Sequence, residues 1–557
     1  MGTERDQLDE DIGALRAGAR SWANLGLARK IELLEACRTA TWRSVGRWTA
    51  AAAEAKGIAG TAYEAEETLS GPWAVLSTLD HLLQTLREIA ADGAPRIDPR
   101  TVHTRSGGQI AVDVFPASAR ERFLFNGVRA QVWMEPGVTA EGLRETLAPW
   151  YRLSGPAPRV TLVLGAGNIA SIPALDVLSK LVADGSVCLL KMNPVNAYLA
   201  PVFDEAFAAL VAGGYLRVVC GDAQAGQYLC AHPGVDAIHI TGSNATYAAV
   251  ARANPGKTIT SELGCVTPTI VVPGAWSDAD VRFQAEHIAT QKLHNGGFNC
   301  IGLQVLVLPA GWKRTPDLLD AIADVMREVP DRPAYYPGAA ARCEALLSQY
   351  PAALRFGRSD AGYVPRTILH LDPGRPSDPL VAEEAFCTLL AVVTLPGDTP
   401  AYLDEAVAFA NRRLAGTLGA NLIVHPHTAR EHAARLEGAV AELRYGCIGV
   451  NAWCGVGFLL APVPWGAFPG ATREMPGSGV GFVHNSRLFS RSQKSVVRAP
   501  FAPFPRSLVR GEATLLPKPP WFVTNRRQRE VAQALCDIEA SSSPLLLARI
   551  AVLAASG

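Results

Sequence analysis

Eleven cysteines are spread along the 557 residues, an odd number with no Cys-x-x-Cys pair. Neither a disulfide framework nor a zinc cage is indicated, so reduced thiols are expected, one of them a candidate nucleophile. The histidines (His232, His239, His287, His294, His425, His427, His484) show no H-E-x-x-H or paired ligand spacing, and no metal site is expected. An apolar run, Val160 to Leu164, ends in Gly165-Ala166-Gly167 and opens a helical pattern, which suggests a dinucleotide site. Ala170 leaves G-x-G-x-x-G incomplete, and any α/β turn needs such glycines, so this segment alone does not decide. Neither a Gly-x-Ser-x-Gly elbow nor a Walker sequence occurs, which removes support for serine hydrolase and P-loop chemistry.

The elements that position these residues belong to a large chain. At 59.1 kDa, several domains must pack together. With 48% apolar and 19% charged residues, and 52 basic against 52 acidic side chains, neither disorder nor a broad grip on nucleic acid is favoured. No stretch reaches about 18 uninterrupted apolar residues, so no membrane span is expected. The stretch Met1 to Ile12 is acidic where a secretory signal is basic and then apolar, and the cytoplasm is the expected location.

Apolar residues recur at helical spacing from Leu15 to Ala55, with Gly57 as a stop, and again from Trp73 to Ile89, before a linker at Asp92 to Pro99. Period-two alternation at Gln109 to Phe115 and Val128 to Trp133 predicts strands. From Val160 the grammar changes. Strands at Val160–Leu164, Val187–Leu190, Leu216–Val219 and Ala237–Ile240 alternate with helical segments, which predicts a doubly wound parallel sheet. Pro503 to Pro520 is proline-rich, and Arg529 to Ala555 reads as a docking helix.

Several pieces, in order, complete the pattern: Asn168 after the first strand; Leu190-Lys191-Met192-Asn193-Pro194; Thr241-Gly242-Ser243; Glu262-Leu263-Gly264-Cys265; Asn295 to Cys300; Glu383-Glu384-Ala385-Phe386; and Pro464-Trp465-Gly466. From roughly residue 15 to 500 the chain thereby resembles the aldehyde dehydrogenase superfamily. The resemblance implies an α/β fold, aldehyde dehydrogenase-like: a doubly wound cofactor-binding domain, an α/β catalytic domain and a small bridging strand insert. Its divisions would be 1–100 (N-terminal helices), 101–155 (insert), 156–261 (dinucleotide domain), 262–470 (catalytic domain), 471–502 (return to the cofactor domain and bridging strand) and 503–557 (extension). A homodimer or homotetramer follows by the same resemblance, the insert and the strand near Ser495 to Val497 bridging subunits.

The resemblance also assigns roles. Cys300 would attack an aldehyde, on a glycine-bearing loop where backbone donors stabilise its thiolate. Asn168 and the Cys300 N–H would form the oxyanion hole, and Glu262 would activate water for thioester hydrolysis. NAD or NADP would be held by Lys191, Gly221, Thr241, Gly242, Ser243, Glu384 and Phe386, with no metal. The expected reaction is oxidation of an aldehyde to a carboxylic acid. The alternatives are the coenzyme A-acylating branch of the same fold, against which Glu262 argues, and a non-catalytic assembly or binding relative. Several departures bear on this reading. The Glu262 to Cys300 separation is a few residues longer than usual; Cys265 replaces a glycine and is expected to be a spectator; Tyr247 replaces another and would crowd the diphosphate; and no Gly-Pro follows Phe386. Pro194 stands where NAD-selective relatives commonly carry an acidic residue, so NADP should be accepted.

Overall fold

The computed structural model describes residues 2–375, 377–541 and 543–556. Its N-terminal periodicity forms the helices Gly2–Asn24, Leu27–Ala55 and Ala74–Asp92, the last closed by Gly93 in the left-handed conformation. Their apolar stripes cover a six-stranded sheet ordered Gly479–Val480, Thr258–Leu263, Ala237–Gly242, Val160–Leu164, Val187–Lys191, Leu216–Val219. All neighbours are parallel except Gly479–Val480, which runs antiparallel to Thr258–Leu263. Central strands such as Val187–Lys191 are buried on both faces, which explains their unbroken apolar runs.

A second, eleven-stranded sheet carries the other half of the molecule. Its parallel centre includes Cys447–Val450, Gly419–Ile423, Thr267–Val271, Leu303–Pro309 and Leu389–Leu395. The chain passes between the sheets within Gly264–Val266, so Glu262 lies on the cofactor-side sheet and Cys300 just ahead of Leu303–Pro309 on the other.

The insert strands Val102–Thr104, Ile110–Phe115 and Arg129–Met134 extend this larger sheet. Strand Ser492–Arg498, expected to bridge subunits, is paired on both sides within the chain: antiparallel to Arg129–Met134 and parallel to Cys447–Val450. Its ladder groups are therefore taken, and the insert's free edge is the short Val102–Thr104. The C-terminal segment forms two helices, Gln528–Ala540 and Pro544–Ala555, rather than one run. The first docks on the N-terminal helices, and Arg120, on helix Ala119–Leu124 of the insert, pairs with its Glu539 at 2.6 Å. Phe522 stacks on Phe283 and His287 of helix Asp278–Leu293.

Gly479 sits opposite Glu262 at φ +143, and a Cβ there would stand 2.2 Å from the Ser261 carbonyl oxygen. Only glycine fits. Gly479→Ala should cost about 2 kcal/mol or more, read from chemical denaturation, because both backbone strain and a clash with main chain oppose it.

Candidate functional site

A cleft of about 900 Å³ lies across the C-terminal ends of the cofactor-side strands and reaches Cys300 on the other sheet. This is where an open α/β sheet binds ligands. Asn168, Lys191, Thr241, Gly242, Ser243, Glu262, Cys300, Glu384 and Phe386 all line it. Gly221 does not; its neighbours Asp222 and Ala223 do. Helix Asn244–Ala253 points its N-terminus at the cleft, a ready anion site. Ser243 caps that helix, its Oγ accepting from Thr246 N at 3.2 Å. The Thr241 hydroxyl is turned inward and donates to Asp176 at 2.9 Å. Tyr247 does not crowd the cleft: its ring is buried, its hydroxyl donates to the Arg473 carbonyl oxygen, and Thr246 and Ala249 form the wall instead.

At the floor, the Cys300 Sγ donates to Glu262 Oε1 at 3.5 Å. Burial pushes the Cys300 thiol well above its ordinary pKa, and Glu262 and Glu384 add to the rise. Burial first, and then the neighbouring acidic groups, favour Cys300 as a thiol rather than the donor-stabilised thiolate expected from the glycine-bearing loop. Burial also raises Glu262, and it raises Glu384 to about 8 against the opposing charge of Lys292. Cys265 lies outside the cleft, buried with Sγ toward the Gly419 carbonyl oxygen.

Behind the floor lies a buried ionic cluster that no motif announces. Lys56 Nζ donates to Glu67 at 2.7 and 2.9 Å, to the Asn168 carbonyl oxygen at 2.8 Å and to Asn295 Oδ1 at 3.1 Å. The Tyr335 hydroxyl and Asn295 Nδ2 donate to the same Asn168 oxygen. Glu66 accepts from Asn295 N at 2.8 Å and from Arg332 at 2.7 Å. Asn295 and Gly296 both adopt positive φ, and this cluster holds the resulting turn that leads into Cys300. The Asn168 side-chain amide donates to the Phe298 carbonyl oxygen at 3.2 Å.

Phe386, itself at φ +46, packs on Tyr336 at 5.0 Å and Phe298 at 5.8 Å. Arg342 donates to the Ala385 and Phe386 carbonyl oxygens and so fixes the loop that lacks Gly-Pro. The walls fit a dinucleotide. Glu384 Oε1 has no protein partner and lines the cleft, and a Cβ on Gly264 would stand 2.3 Å from Glu384 Oε2. Lys191 contributes a buried cation whose pKa is lowered by burial and held up by Asp222. No cluster of His, Cys, Asp or Glu among the described residues could hold a metal ion.

Removing the Lys56 ammonium strands Glu67 and the Asn168 and Asn295 oxygens in the interior. Lys56→Met should destabilise the protein by about 3–5 kcal/mol in chemical denaturation, with Tyr335→Phe costing about 1 kcal/mol.

Comparison with known proteins agrees with this geometry. Residues 168–345 match the Aldehyde dehydrogenase family. The chain is 28% identical over 349 residues to an N-succinylglutamate 5-semialdehyde dehydrogenase of Sphingopyxis alaskensis, covering 58% of this chain and 65% of that one. It is 30% identical over 263 residues to an aminoacetaldehyde dehydrogenase of Pseudomonas aeruginosa, covering 44% and 49%. The matches thus span about half to two thirds of these relatives. Two solved structures share the fold: an NADP-dependent glyceraldehyde-3-phosphate dehydrogenase from Bacillus halodurans complexed with NADP (TM-score 0.60, 17% identity, 88% of this chain and 91% of that one) and an NAD-dependent aldehyde dehydrogenase from Sinorhizobium meliloti (0.60, 19%, 89% and 88%). Matched segment, relatives and fold point the same way: the chain is similar to aldehyde dehydrogenases over residues 168–345 and shares the fold of these solved structures.

Proposed function

We propose that the protein oxidises an aldehyde to a carboxylic acid, with NAD or NADP as oxidant, through a thioester on Cys300. The observation that carries this reading is the 3.5 Å contact of the Cys300 Sγ with Glu262 Oε1 at the floor of the dinucleotide-sized cleft. Glu262 takes the thiol proton, and the thiolate adds to the aldehyde carbon. The Asn168 amide and the Cys300 N–H receive the oxyanion, each such donor contributing roughly 3 kcal/mol to the transition state. Glu384 would hold the ribose and the Gly242-Ser243 helix terminus the phosphates of a nicotinamide dinucleotide, which would supply the hydride acceptor. Glu262 releases the thiol-derived proton to solvent and then removes a proton from water as the water oxygen bonds to the acyl carbon, returning that proton to the departing sulfur. The C–S bond breaks, releasing acid and regenerating the thiol. Burial, by raising Glu262, brings its basicity toward the working pH. Activity should therefore rise with pH through the ionisation of Glu262.

The relatives named for succinylglutamate semialdehyde and aminoacetaldehyde support short, polar aldehydes as the first substrates to assay. With a reactive aldehyde, Glu262→Gln should lose that rise with pH. It should give at most a small burst of reduced cofactor followed by a steady state about 10²- to 10⁴-fold slower than the wild type. An unchanged steady state, or acceleration of the wild type by coenzyme A with acyl-CoA as product, would move the protein to the acylating branch.

Cofactor choice follows from the strand ends. Lys191 lines the cleft and Pro194 places no carboxylate there, so kcat/KM with NADP should equal or exceed that with NAD. Lys191→Ala should lower the NADP value about 10-fold more than the NAD value, the worth of one charge-assisted bond to a phosphate. A wild-type preference for NAD above about 100-fold would contradict this.

A further inference from the structure

A second cavity, of about 740 Å³, shares no residue with the cleft and has no part in the chemistry above. Four segments wall it: helix Ala119–Leu124 of the insert, helix Asp278–Leu293, the proline-rich stretch 503–518 and the last helix, Pro544–Ala555. Its size suits a small organic molecule. Helix Asp278–Leu293 contributes Ala279, Arg282, Phe283 and Glu286, one stripe at helical spacing. The last helix contributes Ile550 and the short side chains of Ala551, Ala554 and Ala555, which leave the space open. Phe123, Phe504 and Leu515 complete the apolar wall, and all three are exposed. Large apolar side chains gathered in water cost free energy that a ligand covering them recovers.

The charged lining is mostly cationic. Arg282, Arg506 and Lys518 stand in the cavity with Glu286 as its one carboxylate. Glu286 is already in use, accepting from Lys518 at 3.2 Å and from the Thr524 hydroxyl at 2.5 Å. Nearby, Asp280 pairs with Arg510. Arg506 is half-buried, donates to the Ala279 carbonyl oxygen and lies over the Phe283 ring at 5.5 Å. Neither Arg506 nor the exposed Arg282 forms an ion pair among the described residues. Burial pulls Arg506 below its usual pKa; Asp280 and Glu286 hold it up, while Arg282 and Arg510 push it down further. Two guanidinium groups thus share one apolar space with no anion of their own. A guanidinium is planar and weakly hydrated, and its fork of donors matches a carboxylate.

We infer that this cavity binds a free amphipathic carboxylate, with its head group at Arg282 and Arg506 and its hydrocarbon tail against Phe283, Phe504, Leu515 and the last helix. Cations and apolar walls occupy the same concave space, which one molecule with both characters satisfies and a flat bilayer does not. The site is separate from the catalytic cleft and does not depend on the thioester reading.

The test is isothermal titration of the full-length protein with decanoate below its critical micelle concentration, beside the neutral decanol. Decanoate should bind at one site, about 10- to 100-fold more tightly than decanol, as expected of charge-assisted bonds to the guanidinium pair. The double variant Arg282→Gln, Arg506→Gln should bring decanoate down to the affinity of decanol and leave decanol as it was. Ala551→Trp, at an exposed position of the last helix, fills the groove and should weaken both by about 10-fold or more. Saturating NADP should leave decanoate binding unchanged. Equal affinities for decanoate and decanol in the wild type, or decanoate binding unaltered in either variant, overturn the proposal. Displacement of decanoate by NADP places it in the catalytic cleft and overturns it as well. So does binding to vesicles of phosphatidylcholine and phosphatidylglycerol with none to monomeric decanoate, which makes the patch a membrane surface.

Discussion

An ammonium group removed from water must be surrounded by acceptors or it will not stay charged. Lys56 meets that demand with Glu67 and with oxygens from two distant segments, Asn168 and Asn295. Desolvation of such an ion costs several kcal/mol and is offset only when the geometry is complete. Burial does pull Lys56 downward in pKa while Glu67 and Glu66 hold it up. Because the acceptors lie in different parts of the chain, satisfying one ion fixes the end of the first cofactor-side strand against the turn that presents the thiol. The adjoining Glu66–Arg332 pair secures the same turn from its other side.

With those segments fixed, the chemistry lies at the junction of the two sheets. Glu262 ends a strand of one and Cys300 precedes a strand of the other, so their contact depends on how the sheets are joined. Burial, and then the neighbouring acidic groups, raise the Cys300 thiol. A cysteine favoured as the thiol is protected from casual oxidation, since the thiolate is the reactive form. In the proposed mechanism the same carboxylate would serve both thiol activation and hydrolysis, which would couple the two halves of the cycle to one group.

The cleft residues were legible because strand ends and the family resemblance coincide. Gly165 to Asn168, Lys191 and Thr241 to Ser243 each follow an apolar run, and parallel strands align those ends at one edge, whereas Glu262, in the mixed run Thr258–Leu263, was marked by the resemblance alone. What local pattern could not reveal was direction and long-range pairing. Tyr247 looks obstructive in sequence, yet one step around the helix turns it into the core. Nothing in a buried lysine such as Lys56 distinguishes it from an exposed one before the chain folds, and its partners lie 112 and 239 residues away. The pairing of Ser492–Arg498 within its own chain is likewise a property of the assembled sheet. Arg342, which takes over from the missing Gly-Pro, has no motif at all.

The account stands on one sulfur. The wild-type protein mixed with a reactive aldehyde and NADP, quenched in acid within the first turnovers and mapped by peptide mass spectrometry, should carry the acyl group, with mass equal to the aldehyde less one hydrogen, on the peptide containing Cys300. Acylation confined to Cys265 or another cysteine, or reduced cofactor formed while Cys300→Ala retains full activity, would contradict it.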